Sequence, residues 1–126
     1  MNIISATLRK LNLPKLIQPN IQKTRRIIVD ETENHSIVLF HWKKNHRLHM
    51  HNHKGKCVFH MLNGTINETR IVNKKIEFHT LQAGSIGKLK TGDLHTMMPV
   101  TDSVSIHYYS PVPKRLCPTM EHVLLK

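Results

Sequence analysis

Residues 51–72 read His51-Asn52-His53-Lys54-Gly55-Lys56-Cys57-Val58-Phe59-His60-Met61-Leu62-Asn63-Gly64-Thr65-Ile66-Asn67-Glu68-Thr69-Arg70-Ile71-Val72. Two runs of strand-forming residues, 58–62 and 65–72, flank Asn63-Gly64. That pair tolerates the positive φ angles of a two-residue hairpin turn, so the stretch predicts strand, hairpin, strand. At its start His51 and His53 stand two apart. Side chains two apart on a strand share a face, so one strand would present both imidazoles to a single ion. His49 and His60 are nearby, and this spacing alone does not choose among the four.

The same β pattern extends on both sides. Asn73-Lys74-Lys75 predicts a second turn and 76–81 a further strand. Gly84, Gly87 and Gly92 punctuate the next stretch. Residues 104–110 read as another strand, stopped by Pro111 and Pro113. Upstream, Ile27-Ile28-Val29 is a short apolar run, and Ile37-Val38-Leu39-Phe40-His41-Trp42 has the β-branched and aromatic content of a buried strand. Many short strands without interleaved helices predict an all-β barrel or sandwich. Residues 1–24 differ. Leu8, Leu11, Ile17 and Ile21 would line a helical face that Pro14 and Pro19 break into short pieces. The expectation is a helical or irregular N-terminal cap over 1–24 and one β domain over 25–126. The tail, 119–126, reads equally as helical or extended.

Composition narrows the class. The chain has 126 residues, 39% of them hydrophobic, enough for one domain with one core. No apolar run approaches a membrane span. The start has no basic region followed by an apolar stretch and a cleavage site, and Cys57 and Cys117 make no disulfide framework. A cytoplasmic monomer that binds no membrane is expected. The formal net charge of +11 raises nucleic acid as a partner. However, the cations are scattered in small groups, such as Arg25-Arg26, Lys43-Lys44 and Lys74-Lys75. Aromatic residues, the stacking platforms for bases, are only 5%. Nucleic acid is therefore not the expected partner.

The 11 histidines are well above ordinary usage. His51 and His53 need a third ligand from elsewhere, and His95 is the best candidate, because Thr91-Gly92-Asp93-Leu94 is a tight turn that can aim it inward. The segments His51-x-His53-x3-Cys57-x6-Gly64 and Gly84-x5-Lys90-x-Gly92-x2-His95-x3-Pro99 resemble the two cupin motifs. The resemblance implies a cupin, or jelly-roll, β-barrel. Cys57 stands where the first motif usually has Glu, and in this the chain resembles the cysteine dioxygenase family of thiol dioxygenases. Asn45, Lys90 and Pro99 depart from the usual Gly, Pro and Asn of the motifs, and none is a metal ligand. Further along, Ser105-Ile106-His107-Tyr108-Tyr109-Ser110-Pro111 is similar to that family's Ser-x-His-x-Tyr-Ser-Pro strand. Phe40-His41-Trp42 is similar to the strand carrying its active-site Trp. Cys117 matches a second family cysteine. The likeness covers roughly residues 24 to 118.

The resemblance implies iron(II) on His51, His53 and His95. Three neutral imidazoles leave the dipositive charge undiminished, which favours an anionic thiolate ligand; geometry alone also admits zinc or nickel. It implies that an Arg before the first core strand binds the carboxylate of a cysteine substrate, as the planar guanidinium fork suits. Arg25 and Arg26 both fall there, and counting back from Asp30 favours Arg26. Lys23 and Thr24 occupy the region where the family has a Tyr. Tyr109 would stand beside the iron, oriented by His107, itself oriented by Ser105. In animal members of the family the residues at the Cys57 and Tyr109 positions become joined by a thioether. Cys57 also suits the plain role of a buried small hydrophobe, and it lacks an activating dyad for nucleophilic catalysis. The implied activity is oxidation of L-cysteine by dioxygen to cysteine sulfinic acid. The alternatives are another small thiol (3-mercaptopropionate or cysteamine) or a non-catalytic metal-binding cupin.

Overall fold

The computed structural model describes residues 21–52 and 55–110, together with the backbone of Glu121–Leu124. Its elements are β1 (Arg25–Glu31), β2 (Ser36–Trp42), β3 (Lys56–Asn63), β4 (Thr65–Val72), β5 (Lys75–Gln82), β6 (Ile86–Leu89), β7 (Leu94–Pro99), β8 (Ser103–Ser110) and β9 (Glu121–Leu124). They form a six-stranded sheet in the order β6-β3-β8-β2-β1-β9 and a three-stranded sheet in the order β5-β4-β7. All pairings are antiparallel except β1 with β9. The expected all-β architecture is present.

No helix occurs among the described residues, so none there is long and apolar enough to cross a membrane. The expected cap over 1–24 falls outside them up to residue 20. The described remainder, 21–24, is not helical.

One sequence expectation is overturned. Asn63-Gly64 does not close a hairpin between β3 and β4. β3 pairs with β6 and β8, whereas β4 pairs with β5 and β7. The pair is instead the crossing from one sheet to the other. Gly64 has a φ of 85°, and a Cβ there would lie 2.2 Å from Ser103 Oγ and 2.6 Å from the Asp102 carbonyl oxygen. Both backbone conformation and space demand glycine, but for a sheet change rather than a turn within one sheet. The second expected turn does close a hairpin. Asn73 and Lys74, with φ of 51° and 65°, link β4 to β5 in the primed-turn conformation.

The six-stranded sheet is buried on both faces at its centre, where all seven residues of β2 are buried. The inner face is readable as rows across the strands. Arg26, Phe40, Ser105 and Met61 form one row; Ile28, Val38, His107, Phe59 and Gly87 the next; Ser36, Tyr109, Cys57 and Leu89 a third. With Trp42, Leu48, Ile66, Leu81 and Met97, the apolar members of these rows build the inner core. Ile27, Ile37, Leu39, Val104 and Ile106 form a second cluster on the opposite face, with Ile21 joining them. The two-residue period of the strands thus places Ser105, His107 and Tyr109 inward, as expected, and Val104, Ile106 and Tyr108 outward.

Gly87 supports the middle row. A Cβ there would lie 2.1 Å from the Phe59 ring, which is fully buried and stacks on His107 at 5.1 Å between centroids. The ring has no room to retreat. Gly87→Ala is expected to destabilise the fold by about 1–3 kcal/mol, the usual cost of overpacking a core. Urea unfolding measures this, and Ser85→Ala on the same rim is the mild comparison.

Candidate metal centre and its polar surround

The histidine pair is built by a short piece of backbone pairing. His51 does not lie on a strand, contrary to expectation. It sits in an isolated bridge with His95, each N–H donating to the other's carbonyl oxygen at 2.9 Å. The segment before it runs beside β7 in irregular form: the Asn45 and Leu48 amides donate to the Pro99 and Met97 carbonyls, and the Thr96 hydroxyl donates to the Leu48 carbonyl. Asn45, with a φ of 68°, is not extended, and because the Asn45 and Leu48 donors are three residues apart while their acceptors are two apart, the segment runs out of step with β7. His51 therefore faces His95 as a cross-strand partner. His53 lies outside the described residues.

Proton positions follow from the hydrogen bonds. His51 Nδ1 is 2.8 Å from the His49 carbonyl oxygen, which can only accept, so Nδ1 carries the proton. His95 Nδ1 is 2.8 Å from Glu68 Oε2, an ionised carboxylate, so this Nδ1 is protonated too. In neutral imidazoles both Nε2 atoms then present lone pairs, and they stand 3.0 Å apart. Two lone pairs at that distance repel unless a cation joins them. Two nitrogens each about 2.1 Å from one ion, at right angles, would be about 3.0 Å apart. The pair thus fits adjacent positions on a metal ion. Burial first, then the neighbouring His95, pushes the pKa of His51 down to about 4, which keeps it in the neutral, ligating form. Among the described residues no third His, Cys, Asp or Glu completes the set. His60 is on the opposite face of β3 from Cys57 and Phe59, and His49 contributes its carbonyl while its side chain is exposed.

Glu68 is the site residue that the sequence reading missed. It is 1% exposed, on β4, with Arg70 Nε donating to its other oxygen at 2.7 Å. The Arg70 guanidinium also donates to the Lys88 carbonyl at 2.7 Å. Burial works against the charged carboxylate, but the bonds from His95 and Arg70 outweigh it and hold Glu68 below the ordinary range. A carboxylate on the outer nitrogen of a ligand histidine fixes the tautomer and raises its basicity. The available signal was modest: Glu68 alternates with Ile66 and so shares its inward face.

The other inward polar residues form a second chain. Trp42 Nε1 donates to Ser105 Oγ at 2.8 Å, and Ser105 Oγ is 2.7 Å from His107 Nε2. Ser105 thus links the indole to the His107 ring, whose other nitrogen is Nδ1. That nitrogen is 3.4 Å from the Tyr109 hydroxyl and 3.9 Å from Cys57 Sγ. Phe59 and Tyr109 stack parallel to the His107 ring, while Phe40 is tilted against it. Cys57 and Tyr109 are direct cross-strand partners. Arg26 reaches over the same wall, its guanidinium carbon 5.7 Å from the Phe40 ring centre and 6.0 Å from that of Tyr109. Arg25 pairs with His41 on the opposite face, so of the two arginines it is Arg26 that enters the interior. Cys117 lies outside the described residues.

The two chains meet electrostatically at Cys57. Burial first, then the Glu68 charge, pushes its pKa up to about 12, so it is a thiol and not a nucleophilic thiolate at neutral pH. Burial likewise raises Tyr109 well above the ordinary phenol value and keeps its hydroxyl a donor.

Among solved structures, the chain is similar to KdgF from Halomonas sp. at 19% identity, with a TM-score of 0.65, covering 83% of this chain and 94% of that one. It is similar to an RmlC-like cupin from Desulfovibrio desulfuricans at 22% identity and a TM-score of 0.65, covering 81% and 95%. A cupin superfamily protein from Desulfitobacterium hafniense gives a TM-score of 0.70 at 13% identity, covering 80% and 89%. The chain has the cupin fold, and at these identities the likeness concerns the fold alone. No protein-family model and no curated protein matches the sequence.

Two outcomes test this arrangement. Glu68→Gln is expected to weaken binding of cobalt(II) or zinc(II) about 10–100-fold, as loss of such a carboxylate partner does. Isothermal titration of the metal-free protein measures it. For Cys57 the folded pKa of about 12 exceeds the unfolded value of 9.0. The fold holds the proton more tightly, so this contribution is intact below pH 9.0 and is lost as pH rises towards 12. The wild type is expected to lose about 1.4 kcal/mol per pH unit through this window. Cys57→Ala is expected to remove this slope in urea titrations between pH 9.0 and 10.0, above which Tyr109 adds a decline of its own.

Proposed function

We propose that this chain is an iron-dependent thiol dioxygenase that converts L-cysteine, or a close carboxylated thiol, to its sulfinic acid. The observation that carries this reading is the meeting of Cys57 and Tyr109 across β3 and β8, beneath Arg26, in a barrel that also holds the facing His51 and His95 nitrogens. The resemblance of the two His segments and of the Ser105-His107-Tyr109 strand to the cysteine dioxygenase family supports it.

His51 and His95, with His53 as the expected third ligand, would hold the ion. Bound iron(II) supplies the place where a thiolate sulfur and dioxygen combine. The overall change is balanced simply: both oxygen atoms end on sulfur, and the thiol proton is released. The protein's own groups bind and orient. Arg26 takes the substrate carboxylate, its attraction for that anion strengthened by the low-polarity surroundings that Phe40 and Tyr109 create. Tyr109 stays neutral and donates its hydroxyl hydrogen to a substrate or dioxygen oxygen. His107, clamped between Phe59 and Tyr109 and held by Ser105, keeps that hydroxyl in place. Trp42 anchors the far end of the chain. Because Cys57 is a thiol beside the Tyr109 ring, the reading includes a thioether between its sulfur and that ring. One hydrogen leaves each group, and dioxygen takes up both, ending as hydrogen peroxide.

Oxygen uptake and sulfinate formation by iron-loaded protein, measured with L-cysteine, 3-mercaptopropionate and cysteamine, test the proposal. Turnover is expected with the two carboxylated thiols and not with cysteamine. Arg26→Ala is expected to lower kcat/KM for cysteine about 10–100-fold, the size of a charge-assisted hydrogen-bonded pair. His95→Ala loses both metal and product. Peptide mapping of turned-over protein is expected to show the Cys57 and Tyr109 peptides joined. Metal retention without sulfinate from any thiol would instead mark a non-catalytic metal-binding cupin.

A further inference from the structure

The most exposed apolar residues of the fold lie together on one strand. Phe78 is 79% exposed and Ile76 63%, both on β5. Six successive residues of β5, from Lys75 to Thr80, are exposed. The strand ends the three-stranded sheet, and among the described residues its ladder partner is β4 alone. An exposed edge strand carrying large apolar side chains is a template for pairing with another strand. Ile76 continues the apolar surface of its cross-strand neighbour Ile71, which is half-buried and pairs in turn with Leu94.

The backbone says which residues face outward from the ladder. The two-residue turn at Asn73-Lys74 closes on the pair Val72 and Lys75. In such a hairpin the closing pair is hydrogen-bonded, so residues 75, 77, 79 and 81 turn their amide and carbonyl groups towards β4. Ile76, Phe78 and Thr80 turn theirs to the open edge. Their side chains share one face of the sheet, while Lys75, Glu77, His79 and Leu81 share the other.

We infer that β5 is a self-association edge, through which two copies of this chain pair antiparallel about a two-fold axis at Phe78. The occupant is a second copy because the strand is complementary to itself in this register. Phe78 lies opposite Phe78 of the second copy, and Ile76 opposite Thr80. On the other face Glu77 lies opposite His79, twice over. In the single chain His79 Nε2 is already 3.1 Å from Glu77 Oε1, and in the pair each histidine can donate either to its own carboxylate or to the facing one. Sliding by two residues in one direction sets His79 against itself, and in the other sets Glu77 against itself. The first alternative gives up the Glu77–His79 pairing, and the second sets two carboxylates directly opposite each other. The register centred on Phe78, which pairs residues 75–81 of each copy, is therefore the one that keeps acid opposite base. It adds β5 of the second copy to the sheet and makes the two three-stranded sheets one six-stranded sheet. A single strand edge buries less than the roughly 800 Å² per partner of a standard interface, so the pair is expected to dissociate at low concentration.

Sedimentation velocity of the whole chain at micromolar and near-millimolar concentration tests this. A concentration-dependent monomer–dimer equilibrium is expected. Phe78→Glu, at a position too exposed to be needed for folding, is expected to shift the sample to monomer with an unchanged circular dichroism spectrum. Register is read by single cysteines in a Cys57→Ala, Cys117→Ala background. Phe78→Cys is expected to give a disulfide-linked dimer on mild oxidation, and Thr80→Cys to give none. Monomer at all concentrations overturns the inference, as does a dimer that Phe78→Glu leaves intact or a Thr80→Cys protein that cross-links as readily as Phe78→Cys.

Discussion

Two imidazole nitrogens face each other at 3.0 Å with their protons held elsewhere, and much of the inner architecture serves to keep them so. His51 gives its Nδ1 proton to a carbonyl of its own segment, and His95 gives its own to Glu68. Neither ring can flip without losing a hydrogen bond in a low-polarity interior, where an unmade bond costs about 1–3 kcal/mol. A proton or a metal ion between the two nitrogens relieves the repulsion of their lone pairs. Glu68 and Arg70 extend this constraint into the sheet. The carboxylate is tolerated at 1% exposure because a guanidinium and an imidazole share its charge, and the guanidinium is tied to the backbone of β6.

A second constraint comes from embedding polar groups in an apolar wall. Ser105, His107 and Tyr109 lie on successive inward positions of β8, each within hydrogen-bonding reach of the next and each packed by an aromatic or aliphatic neighbour from β2 or β3. Rows across the sheet bring Arg26 beside Phe40 and Cys57 beside Tyr109. Burial then gives these groups their chemical character. The same thiol that would be reactive in an electropositive, exposed setting is an inert partner of Tyr109 when dehydrated next to Glu68. On the proposed function these groups would bind and position the substrate, and the redox step would fall to an ion held by the histidines.

Much of this was legible in the chain. Alternation on β8 told which of its residues face inward. The Asn73-Lys74 turn and the inward-facing Tyr109 were readable from type and spacing, because these depend on local conformational preference and on a period of two. Asn63-Gly64 shows the limit. Its local signal for positive φ was correct, but whether such a bend joins neighbours in one sheet or carries the chain to another depends on partners far along the sequence. Glu68 was missed for a related reason. A glutamate on a strand is ordinarily solvated, and nothing near it in sequence indicates that His95, 27 residues away, will meet it.

By itself the sequence determined the all-β class, the two-residue alternation along β8 and the chemical types available for a site, since these are set by backbone sterics and side-chain periodicity within a few residues. Only the tertiary structure decided which face of β1 enters the barrel, and hence Arg26 over Arg25. It alone decided that His51 meets His95 through a backbone bridge rather than from a regular strand, and that β5 ends its sheet with Phe78 in solvent. Those outcomes depend on long-range register, and register is a property of paired strands that no single segment carries.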